Sequence, residues 1–365
     1  MSDATAGVPS GTPLAPFFPL PRDAWLAQWH EPIIEPGLPI IDPHHHLWDR
    51  PDWRYVGDEL LADLECGHKV LTTVFAQCRE RYRPDGPDAL KPLGETEFVL
   101  QVARSIEARR GVARRVCTGI IGHADLTLGH AVGEVLEAQV IVADGRFRGI
   151  RHAAAVDADP ALARTMPQVA AGLLRDARFR AGFACLADLD LSFDAWVYHP
   201  QLGDVVALAQ AFPETSIVLD HLGGPLGIGT YATRRDAVFA EWHAAILALA
   251  ACPNVSVKLG GLGMRLCGFG FCDRPMPPTS EQLATAWRPW VETCIEAFGP
   301  RRCMFESNFP VDRGSCSYAV LWNAFKRLAA GYSAADKREL FAGTAARVYR
   351  LGPIENLPLP RRVVF

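Results

Sequence analysis

The sequence predicts an α/β fold, specifically a (β/α)8 TIM-like barrel preceded by a proline-rich arm. Three observations predict it: eight short runs of apolar and β-branched residues, a helical stretch after each, and polar residues gathered just past the ends of the runs. Parallel strands need crossovers of about a dozen residues or more, so this alternation reads as a parallel sheet. Barrel enzymes build their sites at the C-terminal ends of such strands. A doubly wound open sheet shares the alternation, but no Gly-x-Gly-x-x-Gly follows an early strand. The 365 residues admit one large barrel domain with extensions.

Residues 1–35 carry Pro9, Pro13, Pro16, Pro19, Pro21 and Pro32. Proline lacks a donor and fixes φ, so this arm reads as extended rather than helical. Its Phe17, Phe18, Trp25 and Trp29 predict that it docks, either on its own barrel or on a neighbouring subunit. The barrel is assigned to 36–351 and a tail to 352–365. Its strands are predicted at Leu38 to His46, Lys69 to Gln77, Val116 to Ala124, Phe147 to Ala153, Leu189 to Val197, Ser216 to His221, Val255 to Leu259 and Arg302 to Asn308. Helices are predicted at Asp58 to Cys66, Glu95 to Arg109, Ala131 to Val142, Met166 to Ala177, Leu202 to Ala211, Arg235 to Ala251, Ser280 to Phe298, Tyr318 to Ala330 and Ala334 to Tyr349. Thr279 with Gln282, and Ser333 with Asp336, have the spacing of helix N-terminal caps. The glycine-rich loop from Gly260 to Gly270 and the proline-rich stretch to Pro278 read as a lid over the barrel mouth.

Asp42-Pro43-His44-His45-His46 closes the first strand. Strand side chains alternate between faces, so His44 and His46 point the same way and His45 points into packing. Two imidazoles on one face can hold a metal or polarise a carbonyl. The other strand ends supply Gln77, Arg79 and Tyr82; His123 and Asp125; Arg151 and His152; Tyr198 and His199; Asp220 and His221; Lys258 and later Arg265; and Glu306, Asn308 and Asp312. Alternation places His221 at the mouth with Asp220 on the opposite face, and lets only one of Arg151 and His152 face inward. Arginine offers a bidentate fork for a substrate carboxylate, or else bridges helices outside the barrel. Lys258 reads as an ion-paired strand lysine, or as a Schiff-base or carbamylated one if burial depresses its pKa. His68, His123, His130 and His243 read as structural.

The net charge of −4 is scattered, without the basic stripe of a nucleic-acid surface. No apolar run is long enough to span a membrane, and the start lacks the pattern of a signal peptide, so a cytoplasmic protein is expected. The ten cysteines include no Cys-x-x-Cys. They read as small buried hydrophobes in a reducing compartment. Cys267 and Cys272 lack the further ligands a zinc site needs.

Taken together, Asp42 to Asp49, Arg148 to His152, Leu219 to Pro225, Met304 to Val311 and the closing Gly343 to Arg350 resemble the amidohydrolase-related family, over about positions 36 to 351. The resemblance implies a distorted (β/α)8 barrel and, on the branch it is most similar to, lactonases acting on sugar lactones or carboxylated lactones, some with one divalent metal and some with none. His44, His46 and His221 are the metal candidates, and Glu306, at a position where the family often has Gly, is a fourth. The resemblance also implies an acid-base Asp where this chain has Asn308, and an amide cannot serve as that base. Glu306, or Asp312 from the next loop, is expected to take over that acid-base or ligand role, unless Glu306 forms a buried ion pair with Lys258 or Arg151.

The expected activity is hydrolysis of a carboxylated or hydroxylated lactone. His44, His46 and His221 polarise the carbonyl or hold the metal. Gln77, Arg79, Tyr82, Arg151, His152, Tyr198, His199, Lys258 and Arg265 contact the substrate. The cofactor is one divalent ion (zinc, or manganese or iron) or none. The alternatives are a metal-dependent decarboxylase, an iron-dependent oxygenase, and a non-catalytic ligand-binding or partner subunit. The expected partner is a small molecule, with a homo-oligomer or a related partner subunit left open.

Overall fold

The computed structural model describes residues 18–109, 115–162 and 169–357. Eight parallel strands neighbour one another in chain order: β1 (Pro39–His45), β2 (Lys69–Ala76), β3 (Gly119–Gly122), β4 (Phe147–Ile150), β5 (Ser192–Ala195), β6 (Ile217–Leu219), β7 (Val255–Leu259) and β8 (Cys303–Phe305). The first and last strands meet beyond the end of β8. There the Asn308 N–H donates to His44 O at 2.9 Å and the His46 N–H to Phe309 O at 2.7 Å. Closure removes the open sheet edges that would otherwise pair with other chains. Each strand lies within its predicted stretch.

The crossover helices are α1 (Gly57–Leu64), α2 (Leu93–Glu107), α3 (Val132–Val142), α4 (Ala177–Asp188), α5 (Leu202–Ala211), α6 (Arg235–Ala250), α7 (Ser280–Phe298) and α8 (Tyr318–Leu328). Their apolar stripes pack on the outside of the strands. In α8, Tyr318, Leu321, Trp322 and Phe325 recur at helical spacing and are all buried. The predicted caps form: Thr279 accepts from the Gln282 N–H, and Ser333 from the Asp336 N–H.

The predicted helix at 166–177 is a correction. Its residues 166–168 lie outside the described residues, Leu173–Arg175 makes a single 3-10 turn, and α4 begins only at Ala177. Asp176 decides this. Its backbone is extended, and its carboxylate accepts from the N–H groups of Arg178 and Phe179, which starts a helix rather than ending one. The buried stripe Phe179, Phe183 and Leu186 follows it.

A second, inner core fills the end of the barrel opposite the site. Ile41, Leu71, Val74, Ile121, Val218 and Met304 pack there against Ala345 and Tyr349 of the C-terminal helical segment. Of the tail, Leu357 joins this cluster, and 358–365 lie outside the described residues.

The described part of the arm packs on its own barrel. Arg22 donates to Cys272 O at 2.7 Å, and Trp25 Nε1 reaches the carbonyls of Arg274 and Pro275 at 3.1 Å. Asn323 of α8 donates to Glu31, and Lys326 donates to the carbonyls of Ile34 and Glu35. The arm contains one helical turn, Asp23–Leu26, against the expectation of a wholly extended segment. Phe17 lies outside the described residues. No helix among the described residues is long and apolar enough to cross a membrane.

Candidate active site

Near its C-terminal end β1 bulges, with the pairing register to β2 shifting between Asp42 and His45. His44 and His46 emerge on one side, their ring centroids 4.9 Å apart. His45 turns into packing, where its Nε2 lies 2.8 Å from Thr73 Oγ1. Asp42 fixes the seam by accepting from the Ser307 N–H at 3.0 Å and the Tyr318 hydroxyl at 3.0 Å.

His221 does not follow strand alternation. β6 ends at Leu219, and His221 and Leu222 take φ of 53°, the left-handed region. That turn brings both Asp220 and His221 into the central cluster, which corrects the expectation that Asp220 faces away. Gly261 makes room for it. Its φ is 72°, and a Cβ there would lie 2.6 Å from His221 Nδ1.

Glu306 sits at the centre. Its Oε1 lies 2.6 Å from His221 Nδ1, and its Oε2 lies 3.0 Å from His44 Nδ1 without a well-aligned hydrogen bond. Of the two readings of Glu306, the hydrogen bonds of the structure show contact with these imidazoles rather than an ion pair with Lys258 or Arg151, whose closest partners lie elsewhere. Lys258 donates to Asp194 Oδ2 at 2.6 Å and lies 3.0 Å from Asp220 Oδ1, and Tyr349 also donates to Asp194 at 2.9 Å. Arg151 donates to Gln77 O and reaches His44 Nε2 at 3.2 Å and Asp220 Oδ2 at 3.4 Å.

Both ring nitrogens of His44 thus face cationic donors, Lys258 at 3.0 Å and Arg151 at 3.2 Å, but a neutral imidazole has one lone pair to offer. The carboxylates beside Nδ1 favour the proton there, so Nε2 accepts from Arg151. Hydrogen bonding assigns the other two rings directly. His46 Nδ1 donates to Ala76 O at 2.8 Å and His221 Nδ1 donates to Glu306, which leaves the lone pair on Nε2 in each.

Burial dominates the protonation of this cluster. It pushes His44 down to about 4, with Lys258 adding to the effect, and His221 down to about 3 against the opposing pull of Asp220. Both rings are therefore neutral at physiological pH. Burial raises Asp194 to about 6 in spite of Lys258. Burial also disfavours the Lys258 ammonium, but Asp194, Asp220 and Glu306 outweigh it and hold the pKa above the ordinary lysine value. A lysine so held is no Schiff-base nucleophile, which corrects that alternative.

A cavity of about 120 Å³ opens above the cluster, bordered by His46, Gln77, Arg79, Arg151, Tyr198, His221 and Asn308 among the predicted residues. The remaining predicted contacts stand apart. Lys258 and Glu306 lie buried beneath it. Asp312 is buried, accepting from Asn308 Nδ2 at 2.9 Å and the Gly263 N–H at 3.0 Å. Tyr82 stacks toward His123 at 6.5 Å, with its hydroxyl 3.4 Å from Gln77 Nε2. His152 packs against Phe179 and accepts from the Leu126 N–H, so Arg151 is the inward member of that pair. His199 accepts from the Leu226 N–H, and Arg265 pairs with Asp273 at the exposed surface.

Sequence reasoning missed Asp194, an acid inside an apolar strand, which was itself a signal. It also missed the cavity walls Phe18, Trp48, Trp196, Met264 and Val311, which carry no polar mark.

Among the described residues, one group has metal-ligand character: His44, His221 and Glu306, with ligand atoms all within 4.8 Å of one another. His46 is not in that group. Two imidazoles and a carboxylate suit zinc, manganese or iron, and the unbonded Glu306 Oε2 is an acceptor open to one.

The amidohydrolase family model matches residues 41–351. The chain belongs to the amidohydrolase family. The protein y4mH of Sinorhizobium fredii is 33% identical over 86% of this chain and 99% of its own length. An L-fucono-1,5-lactonase of Burkholderia multivorans is 28% identical over 86% of this chain and 97% of its own. A zinc-bound amidohydrolase structure from Burkholderia multivorans aligns with a TM-score of 0.66 at 27% identity, covering 86% of this chain and 99% of that one.

Proposed function

We propose that this chain is a hydrolase that opens a lactone by attack of water at the barrel mouth, with His221 as general base and Glu306 as the carboxylate that orients it. One observation carries the reading: His221 Nδ1 lies 2.6 Å from Glu306 Oε1 while the same ring borders the cavity, so Nε2 keeps the lone pair that can take a proton. The family and the name of the L-fucono-1,5-lactonase relative support the choice of a cyclic ester.

As the water oxygen bonds to the carbonyl carbon, its proton passes to His221 Nε2. The buried carboxylate of Glu306 stabilises the imidazolium that forms. The carbonyl oxygen becomes an oxyanion beside Arg151, whose Nε is buried without a hydrogen-bond partner and is free to donate. Collapse breaks the ring C–O bond. The proton returns from Nε2 to the departing alkoxide, giving a hydroxy acid. A divalent ion held by His44, His221 and Glu306 would take up the His221 lone pair in place of the proton, and would itself supply polarisation of the carbonyl or a more acidic water.

The test is proton release on a lactone panel, followed by pH-stat with and without chelator. Ring opening by wild type that is lost in His221→Ala, with folding retained, sustains the reading. Carbon dioxide release from aromatic or unsaturated acids, without lactone opening, would replace it with decarboxylation.

A further inference from the structure

We infer that the ring this site opens is apolar or unsaturated and lacks the ring hydroxyls of a sugar lactone; the inference rests on the hydrolytic reading above. The floor of the cavity is polar, but its walls are carbon. Phe18 from the arm stacks on Trp48 with ring centroids 5.7 Å apart. Trp196 stands edge-on to His221 at 4.8 Å. Met264, Leu266 and Val311 close the remaining sides.

Hydrogen-bond donors of the floor are already engaged. Asn308 Nδ2 donates to Asp312, His221 Nδ1 to Glu306, and Gln77 Nε2 lies toward the Tyr82 hydroxyl. Arg151 Nε stands out as a buried donor without a partner, and one donor serves one carbonyl or carboxylate oxygen. A ring hydroxyl set against the aromatic walls gives up its water and gains no hydrogen bond, which lowers affinity by on the order of tenfold each. A cavity of about 120 Å³ seats roughly one ring against the floor, and its open side leaves a fused ring lying between the aromatic walls.

The arm takes part in this selection. Phe18 reaches the cavity from a segment that Arg22 and Trp25 tie to the Cys272–Pro275 stretch of the loop after β7, and the same loop carries Met264 and Leu266. Arm and loop thus form one apolar wall.

The experiment compares kcat/KM for dihydrocoumarin, δ-valerolactone and D-glucono-1,5-lactone on the full-length protein and on Phe18→Ala. The expected result is a preference of at least about tenfold for dihydrocoumarin over the sugar lactone. In Phe18→Ala, KM should rise about fivefold for dihydrocoumarin and less than about twofold for the sugar lactone. Equal or better turnover of the sugar lactone overturns the inference and leaves the hydrolytic reading standing. If no lactone is opened, the hydrolytic reading fails, and the inference is read from quenching of tryptophan fluorescence by the ring-opened acids. Binding of 3-(2-hydroxyphenyl)propanoate in preference to gluconate supports the apolar site, and the reverse order overturns it.

Discussion

Glu306 Oε1 lies 2.6 Å from His221 Nδ1 and also faces the His221 backbone N–H at 3.3 Å, so one buried carboxylate oxygen holds both the ring and the backbone of the proposed base. Glu306→Gln keeps an acceptor at that point and removes the charge. It should leave the thermal midpoint nearly unchanged and lower kcat by about a hundredfold to ten-thousandfold, because the imidazolium formed in the transition state loses its counter-charge. Retained kcat in a steady-state assay would take Glu306 out of the mechanism.

Metal binding tests a different property of the same residues. Zinc titrated into chelator-treated protein should bind at one equivalent by calorimetry or elemental analysis. His44→Ala and Glu306→Gln should each weaken binding by more than about tenfold, and His46→Ala by less than about threefold. Equal losses in all three variants would place His46 among the ligands.

Lys258 lies between Asp194 at 2.6 Å and Asp220 at 3.0 Å, and all three are fully buried. Lys258→Met leaves two carboxyl groups without their cation and should cost about 3–5 kcal/mol in urea unfolding. Adding Asp194→Asn should recover part of that loss.

Asn308→Asp restores the carboxylate the resemblance implies at the end of strand eight, but puts it against the Asp312 oxygen that now accepts at 2.9 Å. Burial already pushes Asp312 up to about 8. The substitution should cost about 1–3 kcal/mol at pH 8. The cost should shrink toward pH 5, as the pair takes up a proton and regains a donor. Denaturant midpoints across that range check the sign.

Glu95, in the first turn of α2, accepts from the N–H groups of Cys78 and Glu80, which hold the loop beside the cavity. Burial raises its pKa to about 7. The folded protein therefore binds this proton where the unfolded chain, near 4.3, does not. The stabilisation is complete below the unfolded pKa and is lost as pH rises through about 7. Glu95→Gln, neutral throughout and still an acceptor, should match wild type near pH 4 and exceed it in thermal midpoint at pH 8.

The parts of the fold that rest on local patterns were legible. All eight strands and the caps at Thr279 and Ser333 follow from periodicity and side-chain chemistry within a few residues. α4 was misplaced because Asp176 can be read only by asking which side of it the apolar period lies on, and Phe179, Phe183 and Leu186 lie after it. At the site, His44, His221 and Glu306 stood out by residue type and position. Asp220 was assigned to the wrong face because alternation stops at Leu219, and no local rule announces the left-handed turn at His221. Lys258 kept several readings open because the partner that decides among them, Asp194, is 64 residues away.

Closure of the sheet between its first and last strands has a consequence for synthesis. Ser307 and Asp42 join across 265 residues, and His44 and Glu306 meet at that seam. A ribosome-bound chain that has released only the first seven strands holds His44, His46 and His221 but has no partner for any hydrogen bond across the seam. Contacts this distant in sequence form late and slowly. Any ligand of the cluster therefore binds only after the last strand docks, and ligand capture during refolding would time the end of folding rather than its beginning.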